Sequence, residues 1–216
     1  CAEPSMLGRE NLEKSPAAVA AISTALEVSG KGWENISAVD LYSCFAIPVF
    51  NLLDAFGLDR DDPRGWTLTG GLPFFGGAGN NYSAHGIAEA VQRCRAAPGS
   101  FALVGANGGI MSKYAAGVYS TEPADWSESR WRSLDKIKAK FDVLDAHDGE
   151  AVAESFTIQP GKDGETATLV ARVGNARVLA NSHDPAICAE LRGGKVAGRK
   201  VCIEPGEGEV NRFRFV

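Results

Sequence analysis

Residues 69–86 read TGGLPFFGGAGNNYSAHG, a glycine-rich stretch that leads directly into a predicted helix from about Ser83 to Ala97. Glycine lets a backbone approach a ligand closely, and the N–H groups at a helix N-terminus can face an anion or a carbonyl oxygen. The same pattern is also compatible with a tight turn into the helix and no ligand. Because the stretch carries the polar side chains of Asn80, Asn81, Tyr82 and His85, it favours a binding site.

The segments around this stretch predict a layered α/β unit. Ser15 and Pro16 match a helix N-cap and first helical residue, and glycines are placed to end the two helices that precede the stretch. Helix-spaced apolar residues alternate along the chain with short apolar runs typical of buried strands. The predicted order is a helix over 16–30, a strand over 38–42, a helix over 45–56, the glycine-rich stretch, the helix over 83–97, and strands over 101–105 and 115–120.

The second half of the chain has a different pattern. Net charge is −5 before Trp126 (8 Lys+Arg against 13 Asp+Glu) and zero from there on (14 against 14). We therefore predict two domains, 1–125 and 126–216. Short strands and turns in the second domain indicate a small OB-like β-barrel. Its predicted elements are strands over 152–158, 166–173, 177–181, 201–203 and 210–215, with a helix over 185–191.

Composition excludes several classes of partner. The chain has 216 residues and a formal net charge of −5, which argues against nucleic-acid or anionic-membrane binding. Five cysteines without a CxxC pair favour a reducing compartment, so we expect a cytoplasmic protein without a disulfide framework or metal site. No uncharged run is apolar enough to cross a membrane. The start at Cys1 rather than Met favours a fragment of a longer chain.

Two side chains are candidates for chemistry on their own residue type. His85 lies beside the glycine-rich stretch, where a histidine serves either as an acid/base or as a packing residue. Cys44 follows the predicted buried strand, where a cysteine is either a small core residue or a reacting group presented at a strand end. His147 and His183 lie in predicted turns and are not candidates.

Four motifs resemble the C-terminal half of a thiolase. They are VDLYSCF at 39–45, GGLP at 70–73, GNNYSAHG at 79–86 and ANGG at 106–109. More narrowly, the chain resembles thiolase-like proteins of type 1, often labelled acetyl-CoA acetyltransferases, which carry an additional OB-like domain. The resemblance implies part of a thiolase-type α/β/α layered unit over 1–125, followed by the small barrel.

The resemblance also implies site residues. Tyr42, Cys44 and Phe45 align with the His-Asp-Cys-Phe motif, with tyrosine in place of histidine. Asn80 stands where the histidine of the Gly-His-Pro motif is expected, and Asn107 lies in the segment similar to Cys-x-Gly, which here lacks its cysteine. The implied catalytic residues are His85, Asn80, Cys44 and Tyr42, and the implied substrate-binding residues are Asn81, Gly79, Phe45, Asn107 and Gly108.

The implied function is acyl transfer from a coenzyme A thioester, with the nucleophilic cysteine supplied by the preceding thiolase half or a partner subunit. The alternative is a catalytically silent acyl-CoA-binding protein, which the three altered motifs favour. Coenzyme A is expected as substrate or ligand, with no permanently bound cofactor and no metal. A homodimer and a protein-docking role for the barrel are further expectations. Zero net charge in the barrel argues against oligonucleotide binding.

Overall fold

A computed structural model describes residues 1–125, 130–206, 208 and 210–216. By its contacts the chain divides into two compact units. The first consists of Cys1–Pro4 and Glu13–Lys138, and the second of Ser5–Leu12 and Ala139–Val216. The domain boundary expected between residues 125 and 126 falls at a segment outside the described residues. The short N-terminal segment that belongs to the second unit has no sequence signal.

The first unit contains a three-stranded sheet in the order β1-β2-β3, with β1 parallel to β2 and β2 antiparallel to β3. Its helix boundaries follow local chemistry: α1 starts at a proline, and α1 and α2 each end at a glycine in the left-handed conformation. The elements are α1 (Pro16–Ser29), β1 (Ile36–Asp40), α2 (Ala46–Phe56), α3 (Leu72–Phe75), α4 (Tyr82–Ala96), β2 (Phe101–Gly108) and β3 (Lys113–Ser120).

Both faces of this sheet are buried. Leu103 on β2 points into a core with Ile22 of α1 and Leu52 of α2. Its neighbour Val104 points to the opposite face, where it packs with Ala90 of α4. Side chains alternate across a strand, so successive residues of β2 fill the two layers, and each fully buried leucine or isoleucine stabilises the fold by roughly 1.5–3 kcal/mol. The α/β/α layering expected from the sequence is confirmed.

The second unit is a closed five-stranded barrel. Its strands are hydrogen-bonded in the order β5-β6-β7-β9-β8 and back to β5, with only the β7–β9 pair parallel. This order, with a helix between the third and fourth strands, is that of an OB barrel. The elements are β4 (Asp142–Leu144), β5 (Gly149–Gly161), β6 (Gly164–Val173), β7 (Ala176–Ser182), α5 (Pro185–Gly193), β8 (Lys200–Glu204) and β9 (Asn211–Phe215).

The prediction of a small barrel is confirmed, and the strands differ from it in detail. β5 begins three residues earlier than expected, and the short strand β4, which pairs in parallel with β7, was not predicted. Its three residues are too few to show a period. Inside the unit, the buried guanidinium of Arg177 pairs with Glu154 and donates hydrogen bonds to the carbonyl oxygens of Leu7 and Arg9. These bonds hold the segment Ser5–Leu12 in the second unit.

Candidate functional site

The candidate site lies at the carboxyl ends of the two parallel strands, where open α/β sheets present reacting groups. β1 ends at Asp40, and the chain turns through residues 41–45 before α2 begins. Tyr42 and Cys44 are partly buried in this turn, while the Phe45 side chain is 75% exposed. The three residues aligned with the His-Asp-Cys-Phe motif therefore lie at the edge where the sequence places a site.

A chain of hydrogen bonds beneath this edge joins a buried carboxylate to both loops. The Thr69 hydroxyl and backbone N–H donate to Asp40 Oδ1, each over 3.2 Å. The Tyr82 hydroxyl lies 2.5 Å from Thr69 Oγ1 and 3.2 Å from Ser43 Oγ. Ser43 Oγ also accepts the backbone N–H of Leu72 over 3.2 Å.

Proton supply fixes the direction of this chain. Because the Thr69 hydroxyl hydrogen is used on Asp40, Tyr82 donates to Thr69, and Ser43 donates to Tyr82. Every bond then points toward the carboxylate. The network ties the turn after β1 to the glycine-rich stretch, so the positions of both loops depend on one another.

Asp40 is a carboxylate in an apolar layer. It is fully buried, and its Oδ2 atom has no hydrogen-bond partner among the described residues. Desolvation raises the pKa of Asp40, and the hydrogen bonds from Thr69 oppose that rise. Helix α4 approaches the carboxylate closely at Gly86, where an added Cβ would lie 2.5 Å from Oδ2. A glycine at this helical position makes room for the carboxylate.

The glycine-rich stretch presents its asparagines to solvent. Gly71 and Gly79 adopt positive φ values of 100° and 58°, a region that other residues rarely enter, and they shape the path between α3 and α4. Asn80 and Asn81 are both exposed, and Asn81 precedes the first residue of α4 without capping the helix through its side chain. Both side-chain amides are therefore available to a ligand.

His85 lies one turn into α4 and is partly buried. Its ring packs against Phe75 with 5.3 Å between ring centroids. The Nδ1 atom is buried and has no hydrogen-bond partner among the described residues. The imidazole thus has one nitrogen that no protein group orients, whereas an acid/base histidine usually has its second nitrogen held by a partner.

Tyr42 lies beside this cluster. Its ring meets the Tyr82 ring edge-on at a centroid distance of 5.5 Å. Burial raises the pKa of Tyr42, and the neighbouring Cys44 and Tyr82 raise it further when they are ionised. The phenol is therefore a neutral hydrogen-bond donor at physiological pH and not a base.

Asn107 and Gly108 occupy the end of β2, in the hairpin that leads to β3. The Asn107 amide makes a long 3.5 Å contact with the carbonyl oxygen of Gly109. An added Cβ at Gly108 would lie 2.6 Å from the Lys113 side chain, so a glycine suits this close pairing. These two residues contact their own hairpin, while the hydrogen-bond network joins the other two loops.

Sequence reasoning missed the buried network of Asp40, Ser43, Thr69 and Tyr82. One signal was present, because Asp40 directly follows the apolar pair Ala38-Val39 in a predicted buried strand. A carboxylate in such a strand requires partners. The partners lie 29 and 42 residues away in the chain and only the fold identifies them.

In the part of the chain that the structure describes, no group of three His, Cys, Asp or Glu side chains is placed to hold a metal ion. Nor does any described helix combine the length and apolar character needed to span a bilayer.

Comparison with known proteins assigns the family. Residues 133–208 match the model of the thiolase-like protein type 1 additional C-terminal domain. The whole chain superposes on a monomeric SCP2-thiolase like protein type 1 from Mycobacterium smegmatis, with a TM-score of 0.89 and 45% sequence identity. The chain is the C-terminal part of a thiolase-like protein of type 1. It covers 48% of the Mycobacterium smegmatis chain, and no curated protein in the comparison matches it.

Proposed function

We propose that this thiolase-like chain forms the acyl-CoA-facing part of an acyltransferase site whose nucleophilic cysteine lies in the preceding half of the intact protein. The observation that carries the proposal is the convergence of Tyr42, Cys44 and His85 on the shared edge of two loops that a buried network holds together. The similarity to an SCP2-thiolase like protein gives that edge a thioester substrate class.

The proposed chemistry is nucleophilic acyl transfer. A thiolate adds to the acyl carbonyl, and the negative charge that develops on its oxygen requires hydrogen-bond donors. The exposed amide of Asn80 and the phenol of Tyr42 are the donors that this chain offers. Phe45 supplies an apolar surface for the acyl chain. His85 is the residue at this edge that can accept or release a proton near neutral pH.

A catalytically silent acyl-CoA binder is the second candidate, and one observation favours it. His85 packs against Phe75 and its Nδ1 atom has no partner to orient the imidazole. With asparagines at positions 80 and 107, the motif positions associated with bases hold amides, which donate hydrogen bonds but do not take up a proton. This arrangement can recognise a thioester without turning it over.

Intact-mass spectrometry of the protein expressed from its native gene separates the two candidates. The protein is incubated with acetoacetyl-CoA, in which attack of a thiolate on the ketone carbon breaks the bond between C2 and C3. Acetyl-CoA leaves after protonation of its carbanion, and the enzyme retains one acetyl group. Gain of one acetyl group supports acyl transfer. An unmodified mass with measurable coenzyme A binding supports the silent binder, and neither result contradicts both.

Calorimetric titration with acetyl-CoA tests the assigned binding residues. We expect Asn80→Ala to weaken binding about tenfold, the effect of losing one hydrogen bond of roughly 1.4 kcal/mol. The matched control is Asn175→Ala, an exposed asparagine in the barrel unit, which should leave affinity unchanged. Equal affinities for both variants would remove Asn80 from the proposed site.

The partner of this chain in the proposal is the preceding thiolase half. Large apolar side chains at the candidate edge are exposed, including Phe74 at 90% and Ile110 at 75%, and they require cover. The Mycobacterium smegmatis relative is described as monomeric, which favours cover from within one chain over a homodimer. Sedimentation equilibrium of the native gene product tests this, since a homodimer would sediment at twice the monomer mass.

A further inference from the structure

The first three residues of the chain extend the sheet of the first unit. The Tyr114 N–H donates to the carbonyl oxygen of Cys1 over 2.8 Å, and the amino group of Cys1 donates to the Tyr114 carbonyl oxygen over 2.9 Å. The Glu3 N–H donates to the carbonyl oxygen of Ser112 over 2.8 Å. Residues 1–3 therefore run antiparallel to β3 on the side away from β2.

Beyond Tyr114, β3 continues for six residues with β2 as its neighbouring strand in the described sheet. In an antiparallel ladder, alternate residues point their N–H and C=O groups to the same side. Tyr114 points these groups toward Cys1, so Ala116 and Val118 point theirs in the same direction. This side of β3 offers a strand-pairing edge that starts where the Cys1 pair ends.

A groove of about 910 Å³ lies along that edge. Its floor is formed by Ala21, Ala25 and Val28 of α1, and its far wall by residues 130–134. Cys1 lies in the groove lining, and the Ile137 N–H donates to the carbonyl oxygen of Ala2 over 2.8 Å. Residues 1 and 2 thus already lie between the β3 edge and the segment that forms the far wall.

We propose that this groove holds the residues that directly precede Cys1 in the intact protein, as a fourth strand antiparallel to β3. The related chain from Mycobacterium smegmatis, of which this chain covers 48%, shows that such proteins have more polypeptide to supply it. The direction is fixed because the strand must continue the Cys1–Tyr114 ladder. The proposal does not depend on acyl-CoA binding.

The register follows from the ladder. The second residue before Cys1 lies opposite Ala116, and the fourth lies opposite Val118. Paired residues project from the same face of a sheet, and Ala116 and Val118 pack against the core that contains α1. The second and fourth residues before Cys1 therefore face Ala25 and are small or apolar. Charged residues at both positions in the native gene would overturn the register.

Hydrogen exchange of the intact protein tests the strand itself. We expect the amides of Ala116 and Val118 to exchange about 100-fold or more slowly than in an unstructured chain, as does the Tyr114 amide that already donates to Cys1. Exchange at unstructured-chain rates would overturn the proposal. Protection that disappears on dilution, together with a dimer in sedimentation, would assign the edge to a second copy and also overturn it.

A pair of tryptophan variants in the intact protein tests what fills the groove. Ala25→Trp projects into the groove, whereas Ser23→Trp lies on the exposed face of the same helix. If the strand is present, Ala25→Trp overpacks the space and lowers the melting temperature by about 5 °C, and Ser23→Trp leaves it within about 1 °C. Equal melting temperatures would mean that the groove is open. Neither variant alters a residue of the proposed acyl-CoA site.

Discussion

Replacing Gly86 with alanine tests the close contact between α4 and the buried carboxylate. The new Cβ would lie 2.5 Å from Asp40 Oδ2 and 3.3 Å from a Val104 methyl carbon. Asp40 is fully buried and Thr69 holds its other oxygen, so the carboxylate has little room to move. Overpacking costs about 1–3 kcal/mol. Alanine recovers about 1 kcal/mol of helix propensity. We expect a net loss of roughly 1–2 kcal/mol.

Urea unfolding followed by tryptophan fluorescence measures this loss, because all four tryptophans of the sequence precede residue 139. A double-mutant cycle isolates the contact. In an Asp40→Ala background the clash is absent, so Gly86→Ala should be neutral or stabilising. An equal loss in both backgrounds would refute the steric argument. Gly193→Ala is the control by circular dichroism, since a Cβ on that helical glycine meets no atom within 4 Å.

Three further predictions concern hydroxyl groups, a buried cation and pH. Tyr114→Phe should raise the free energy of unfolding by about 1 kcal/mol, because its buried hydroxyl has no described partner, whereas Tyr82→Phe should lower it by about 1–3 kcal/mol in the same urea assay. Arg177→Met should destabilise the barrel by about 3 kcal/mol in calorimetry, because it leaves a carboxylate and carbonyl oxygens without their donor. The Arg64 guanidinium lowers the pKa of Asp62 to about 2. This pair therefore stabilises the fold above about pH 4 and loses its effect as pH falls toward 2, and NMR titration of Arg64→Gln should show the pKa of Asp62 raised toward about 3.9.

Much of the fold follows from local chemistry. α1 lies over residues 16–29 and α2 over 46–56, as proline placement, apolar period and terminal glycines predict. The barrel strands follow from alternation and turns, and four of the five predicted strands lie wholly within observed ones. The fifth, predicted from Val210, starts one residue later at Asn211. The short strand β4 was missed because its formation depends on pairing with β7, 34 residues away in the register.

The candidate site is divided in the same way. The sequence supplies the residue types, with amides at 80 and 81, a histidine at 85 and a cysteine at 44, and motif resemblance places them at one edge. It does not indicate that His85 packs against Phe75 with one ring nitrogen buried. The assigned site roles stay predictions that the acylation and titration experiments test.

The amino-acid sequence by itself determined the element types, the two-part organisation and the family, because capping, periodicity and motifs act over a few residues. Only the tertiary structure decided the partners of Asp40, the membership of Ser5–Leu12 in the barrel unit and the free edge of β3. These features depend on contacts between residues far apart in the chain. Burial then sets their energetics, because a carboxylate or an unpaired strand edge removed from water must find a partner that local sequence does not specify.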